Sequence, residues 1–141
     1  MRLRIWRTLL AIAGLGISIY LTLVHYDSHV PLVCTDNSFI NCGRVVTSPQ
    51  SVILGLPLAV WGLIWFAVLV AAVWLRRDDR PWTRTLDLGW AIAGALSIVY
   101  FIYIELFIVG VLCMWCSIVH LLVLANLFIA MGTTTTPAPD A

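Results

Sequence analysis

Leu112-Cys113-Met114-Trp115-Cys116-Ser117 sets a Cys-x-x-Cys where a short break opens onto the last long apolar run of the chain. If that run is helical, the two thiols lie one turn apart at its N-terminus, where unpaired backbone N–H groups and the helix dipole favour a thiolate. His120 continues the stripe, because Cys113, Cys116 and His120 stand at i, i+3 and i+7 and share one face. This is a redox motif. The remaining chain is read as the means of bringing electrons to this pair and a membrane-borne acceptor beside it.

Working outward, the chain is 62% hydrophobic with a mean hydropathy of +1.00, well above the apolar share of roughly 45–50% in soluble domains. An all-α integral membrane protein is expected: a bundle of four transmembrane helices with a cysteine-containing extracytoplasmic loop. The spans are placed at 6–24, 53–75, 86–109 and 113–131, each long enough at about 1.5 Å per residue to cross a hydrocarbon core of about 30 Å. The first is expected to be a retained anchor, since cleavage at Gly14-Leu15-Gly16 or Gly16-Ile17-Ser18 would cut inside the apolar run. Residues 25–52 form a polar insert that cannot sit in lipid, with a short helical piece around Gly43–Thr47 that Ser48-Pro49 ends or restarts. Ala91, Gly94 and Ala95 would let a neighbouring helix approach closely. Residues 132–141, with four Thr and two Pro, have no apolar face to bury and are expected to be a disordered cytoplasmic tail. No repeat and no soluble domain is found.

The eight basic residues are all Arg, in two clusters: Arg2/Arg4/Arg7 and Arg76/Arg77/Arg80/Arg84, with Arg44 apart. Each cluster flanks an apolar span, so neither points to nucleic acid. By the positive-inside rule both termini and the 76–84 loop are cytoplasmic. Cys34 and Cys42 then fall in the first outside loop, and Cys113 and Cys116 at the outside mouth of the fourth helix, all facing the compartment where disulfides persist.

Four cysteines allow three pairings, and spacing does not choose among them. Cys34 and Cys42 could be a static loop staple or a shuttle, and Cys113 and Cys116 could be two buried thiols. Two pairs on one side of a membrane favour thiol–disulfide exchange through a mixed disulfide. A four-cysteine zinc site fits poorly with an oxidising compartment, so no metal is expected. An acceptor that takes two electrons and dissolves in hydrocarbon is a quinone. His120, intramembrane and ionisable, would donate to a quinone oxygen or hydrogen-bond a neighbouring helix. Glu105 is expected near an interface where its carboxylate reaches water, in a structural role. Trp115 would shield the cysteines or touch the quinone ring, while Trp61, Trp65, Trp74, Trp82 and Trp90 read as interface anchors or packing.

The ordered combination resembles the bacterial homologues of vitamin K epoxide reductase: Cys34-x7-Cys42, Ser48 six residues on, a span, a basic loop, a third span, then Cys113-x-x-Cys116 opening the last helix. Asn41-Cys42-Gly43-Arg44-Val45 through Thr47-Ser48-Pro49 is especially similar to bacterial members. The resemblance implies a four-helix bundle surrounding a quinone (menaquinone or ubiquinone) and a separate thioredoxin-fold partner, no fused one being present. It further implies that the reduced partner attacks Cys34, that Cys42 relays to Cys113, that Cys116 faces the quinone, and that Ser48 hydrogen-bonds near the active site. Vertebrate members carry a Tyr four residues after the second cysteine and an Asn near the start of the second helix, where this chain has His120 and, approximately, Ser51.

The expected function is a membrane thiol:quinone oxidoreductase of the bacterial inner membrane, supporting disulfide formation outside the cytoplasm. Its catalytic residues would be Cys34, Cys42, Cys113 and Cys116, with Cys116, His120, Ser48 and Ser51 around the quinone. The rivals are vitamin K quinone or epoxide reduction with the same cysteines, and a non-enzymatic membrane scaffold with a structural loop disulfide.

Overall fold

A computed structural model describes residues 2–76 and 80–135. Four helices in it are long and apolar enough to cross a membrane. In chain order they are α1 (Arg2–Tyr26), α3 (Leu58–Leu75), α4 (Pro81–Tyr103, continued by a π-helical stretch Ile104–Val109) and α5 (Met114–Thr135), with the short α2 (Cys42–Val46) in the polar insert. The fold is the expected helical membrane bundle with a cysteine-bearing connection, and the boundaries differ in instructive ways.

The second span starts at Leu58 rather than 53. Residues Val52–Ile53 (β1) and Leu56–Pro57 (β2) pair antiparallel as a small hairpin, Val52 opposite Pro57 and Ile53 opposite Leu56. Leu54 and Gly55 turn it at φ 54° and 79°, a left-handed conformation that a right-handed helix cannot contain. Pro57, expected in the first helical turn, stands just before it at φ −62° and ψ 146°. The third span opens earlier than 86, at Pro81, because proline at a first helical position forfeits only an N–H that has no partner there anyway. The first span takes in its arginines, and the fourth helix runs through Thr135, so residues 132–135 of the expected tail are helical. Residues 136–141 of that tail, and Arg77, lie outside the described residues.

The core at mid-bundle is Ala11, Phe66, Leu69, Val73, Ile98 and Val123. Outward faces carry large apolar side chains, Leu96 at 67% exposed, Val99 at 68%, Leu121 at 67% and Phe128 at 68%. So much exposed hydrocarbon suits a lipid surround rather than water. Of the small residues on α4, Gly94 matters most: a Cβ there would run into the Trp65 ring of α3. Its absence lets Trp65 lie against the α4 backbone and stack on Trp90, ring centres 6.2 Å apart and 12° from parallel.

The arginine end is locked by charge. Arg7 of α1 donates two hydrogen bonds to Asp87 of α4, at 2.6 and 2.8 Å, and Arg76 at the end of α3 donates to the same carboxylate at 3.2 Å. Arg4 caps the end by donating to the Arg76 carbonyl at 3.1 Å. The Arg7 and Asp87 side chains are each only 2% exposed, so removing one charge leaves the other buried without full compensation. We therefore expect Asp87→Asn to lower the stability of the detergent-solubilised protein by about 3–5 kcal/mol. Thermal unfolding followed by circular dichroism measures this, and an unchanged transition would show the triad to be dispensable.

Candidate active site

All four cysteines gather at the end of the bundle opposite the Arg7–Asp87 lock. The local sequence explains how. The last turn of α4 widens into the π-helical stretch, and Gly110, at φ 77°, reverses the chain. Both Gly110 N–H and Val111 N–H donate to the Glu105 carbonyl, at 2.8 and 3.1 Å. A left-handed residue costs glycine no Cβ clash. The reversal delivers Leu112 alongside the polar insert: Leu112 N–H donates to Phe39 O at 2.8 Å, and Asn41 N–H donates to Leu112 O at 2.9 Å.

That pairing sets the redox register. The next residue on one side is Cys42 and on the other is Cys113. They are 1% and 0% exposed and share a buried cluster with Val45, Ile104, Val109 and Val111, on which Cys34 and Cys116 pack. Cys34 and Cys42 form a disulfide with Cα atoms 6.1 Å apart, whereas Cys113 and Cys116 are free thiols.

Each cysteine is held differently. Cys34 is half-buried, as Cys116 is, and is the member of the loop disulfide that keeps surface exposure. The segment before it is pinned from two helices, with Tyr20 Oη donating to Pro31 O at 2.8 Å, Val33 N–H donating to Tyr20 Oη at 2.9 Å, and Trp115 Nε1 donating to Val33 O at 2.6 Å. Trp115 also meets Tyr20 edge-on at 5.4 Å, so its indole serves the loop and does not line the cavity. Cys42 opens α2 behind the Asn41 cap, whose Oδ1 accepts Arg44 N–H at 2.8 Å. Cys113 sits just before α5, one residue ahead of the position first expected, and the Cys116 N–H donates to its sulfur at 3.2 Å. Just outside the span that begins at Met114, the Cys113 thiol is held below its ordinary value, chiefly by the Cys116 side chain and against the effect of burial.

Behind Cys116 lies a cavity of about 330 Å³ within the bundle, walled by Trp65, Phe66, Trp90 and Phe101 among others. Cys116, His120, Ser48 and Ser51 all line it; Cys34, Cys42 and Cys113 do not. His120 is 9% exposed and its ring stacks on Phe101, centres 6.5 Å apart and 16° from parallel. Ser48 Oγ donates to Val45 O at 2.8 Å, and Ser51 Oγ lies 2.7 Å from both Val46 O and Ser48 O. Both hydroxyl protons are thus directed at backbone, leaving acceptor lone pairs toward the cavity. Among the buried atoms here, Trp65 Nε1 has no hydrogen-bond partner.

Glu105 is the residue that the sequence misjudged. Expected near water, it is 4% exposed, lines the cavity, and accepts the Cys113 N–H through Oε2 at 3.2 Å. An apolar run gives no notice of a π-helical turn, and that turn rotates the carboxylate from the interface into the bundle. Among the described residues no group of three or more His, Cys, Asp and Glu could hold a metal ion.

No curated protein matches the chain. The family model described as "Vitamin K epoxide reductase family" matches residues 5–131, nearly all of the chain and both cysteine pairs. The chain therefore belongs to the vitamin K epoxide reductase family, whose members are multi-pass membrane redox enzymes that join thiol chemistry to quinones.

Proposed function

We propose that this protein is a thiol:quinone oxidoreductase that reoxidises a separate thioredoxin-fold disulfide donor and passes the electrons to menaquinone or ubiquinone, supporting disulfide formation in exported proteins. It would reside in the bacterial inner membrane with both termini and the arginine end in the cytoplasm and the cysteine end outside. The observation that carries the reading is the backbone pairing that seats Cys42 and Cys113 side by side, with Cys116 opening onto an internal apolar cavity.

The division of roles follows from exposure. A reduced partner reaches Cys34, the member of the loop disulfide that keeps surface exposure, and attacks it; Cys42 leaves as the thiolate, and a second partner thiol resolves the mixed disulfide. Cys42 then attacks Cys113 of the oxidised anchored pair, and Cys34 closes back on Cys42. Two electrons have moved inward, leaving the loop disulfide with free Cys113 and Cys116, which is the arrangement of sulfurs present here.

The cavity suits a planar, lipid-soluble ring with two carbonyl oxygens. It is aromatic-walled, within the usual range of ligand sites of about 300–1,000 Å³, and holds an orphaned indole N–H and a cavity-facing imidazole able to donate. When bound, the quinone supplies a two-electron sink that becomes a quinol. Cys116, His120, Ser48 and Ser51 would hold it, with His120 rather than the serines as donor, because the serine protons are engaged elsewhere.

Purified protein with reduced thioredoxin-fold partner and quinone in detergent should turn over, and Cys116→Ser should reduce that turnover at least about a thousandfold, as loss of a reacting nucleophile does. Cys113→Ser/Cys116→Ser should oxidise one equivalent of partner and then stop with Cys34 and Cys42 reduced, having no anchored pair to reoxidise them. If instead both serine variants keep full function and the loop disulfide survives the partner, the scaffold reading replaces this one. Turnover on vitamin K epoxide but on no protein thiol would favour the epoxide reductase.

The wall makes a separate prediction. Gly94→Val would push the Trp65 ring into the cavity, so the KM for quinone should rise while partner disulfide exchange, measured without quinone, proceeds as in wild type. An unchanged KM would place the quinone elsewhere.

A further inference from the structure

Oxidising two buried thiols by a quinone moves two protons as well as two electrons. The Cys113 and Cys116 S–H bonds break, one S–S bond forms, and the quinone leaves as a quinol with two new O–H bonds. The electrons need only sulfur. The protons need a carrier, and the cavity is apolar, with no Arg or Lys among its lining residues.

We infer that Glu105 is that carrier: its carboxylate takes the Cys116 thiol proton as sulfur becomes nucleophilic, and hands protons on toward the quinone oxygens as the Cys113–Cys116 disulfide closes. The inference rests on the quinone-reducing reading above. Glu105 is buried, accepts the Cys113 N–H through Oε2 at 3.2 Å, and lines the same cavity as Cys116. The other titratable groups facing it are Cys113 and Cys116 at the start of α5 and His120 one turn on, with His25 of α1 also on the cavity; Cys34 and Cys42 are joined and carry no proton. Asp87, the other buried carboxylate among the described residues, is fixed by Arg7 and Arg76 at the far end. After each transfer Glu105 returns to its starting state, so one carboxylate serves both protons in turn.

A structural alternative is that Glu105 only accepts the Cys113 N–H and steadies the start of α5. Glu105→Gln separates the two, because the amide oxygen still accepts that N–H but the side chain cannot take a proton. The first readout needs no quinone. In a Cys113→Ser background Cys116 is the only free thiol, and its alkylation by N-ethylmaleimide requires the same proton loss. With Glu105 as acceptor, E105Q should slow that alkylation and should slow single-turnover quinone reduction in the otherwise wild-type protein by about 10²–10⁴, the usual range for general base catalysis. The part of the low-pH fall set by protonation of Glu105 should be lost in E105Q, leaving the dependence on thiol ionisation alone. A structural role predicts wild-type rates, and a purely electrostatic one predicts faster alkylation once the negative charge is gone; either overturns the inference. Should E105Q not fold, as judged by loss of the Cys34–Cys42 disulfide, Glu105→Asp decides instead: a slowed alkylation with the low-pH limb retained supports the relay, and a wild-type rate overturns it. If wild type reduces no quinone while E105Q still slows alkylation, the quinone reading falls and the proton acceptor stands.

Discussion

Two backbone hydrogen bonds, Leu112 to Phe39 and Asn41 to Leu112, decide where the chemistry sits. A cysteine in a polar insert and a cysteine at the start of a distant helix are separated by two membrane spans in sequence, and nothing in apolar packing alone would fix their relative register. Hydrogen bonds do, because each residue along an extended segment commits its N–H and C=O to particular partners. One residue of slip would turn Cys42 or Cys113 to the opposite face. The Tyr20 and Trp115 contacts around residues 31–33 extend the same control to the approach of Cys34.

The bundle separates two kinds of constraint by placing them at opposite ends. Around Asp87, full ionic pairing satisfies buried charge and holds α1, α3 and α4 together. Around Cys113, the contacts to its N–H and to its sulfur are 3.2 Å each, longer than those between Arg7 and Asp87, and the preceding helix is loosened into a π-helical turn. Rigidity at one end permits irregularity at the other, since non-helical backbone at membrane depth is tolerated only where protein surrounds it. Irregular backbone is also what lets a carboxylate and a thiol share one small space.

Much of this was legible in the sequence. The four apolar runs, the small helix after Asn41, the clustering of cysteines at one end and of arginines at the other follow from periodicity, capping residues and charge placement. The family follows from the order and spacing of Cys34, Cys42, Ser48, Cys113 and Cys116. What was hidden depends on backbone angles that residue types do not announce. Leu54 adopts a positive φ that leucine seldom takes, so a hairpin stands where apolar residues read as helix. Glu105 looked interfacial because regular α-helical spacing puts it there. Trp65 and Trp90 looked like packing because their cavity is shaped by Gly94, a contact between two helices whose relative rotation the sequence does not announce.

The geometry also accounts for why two pairs of cysteines are needed rather than one. A sulfur that meets a protein partner must keep some exposure, and half-buried Cys34 in the polar insert is the member of the loop disulfide that does. A sulfur that meets a hydrocarbon-soluble acceptor must border a largely apolar cavity, as Cys116 does. One pair of adjacent residues cannot satisfy both, because opening the cavity to the partner would admit water to the acceptor. Cys42 and Cys113, almost wholly buried and packed in one cluster, are placed to connect the two environments by the proposed exchange without opening either. In the proposed route electrons would cross from the aqueous face to the apolar cavity through bonds between sulfurs, and only the protons would require a separate route.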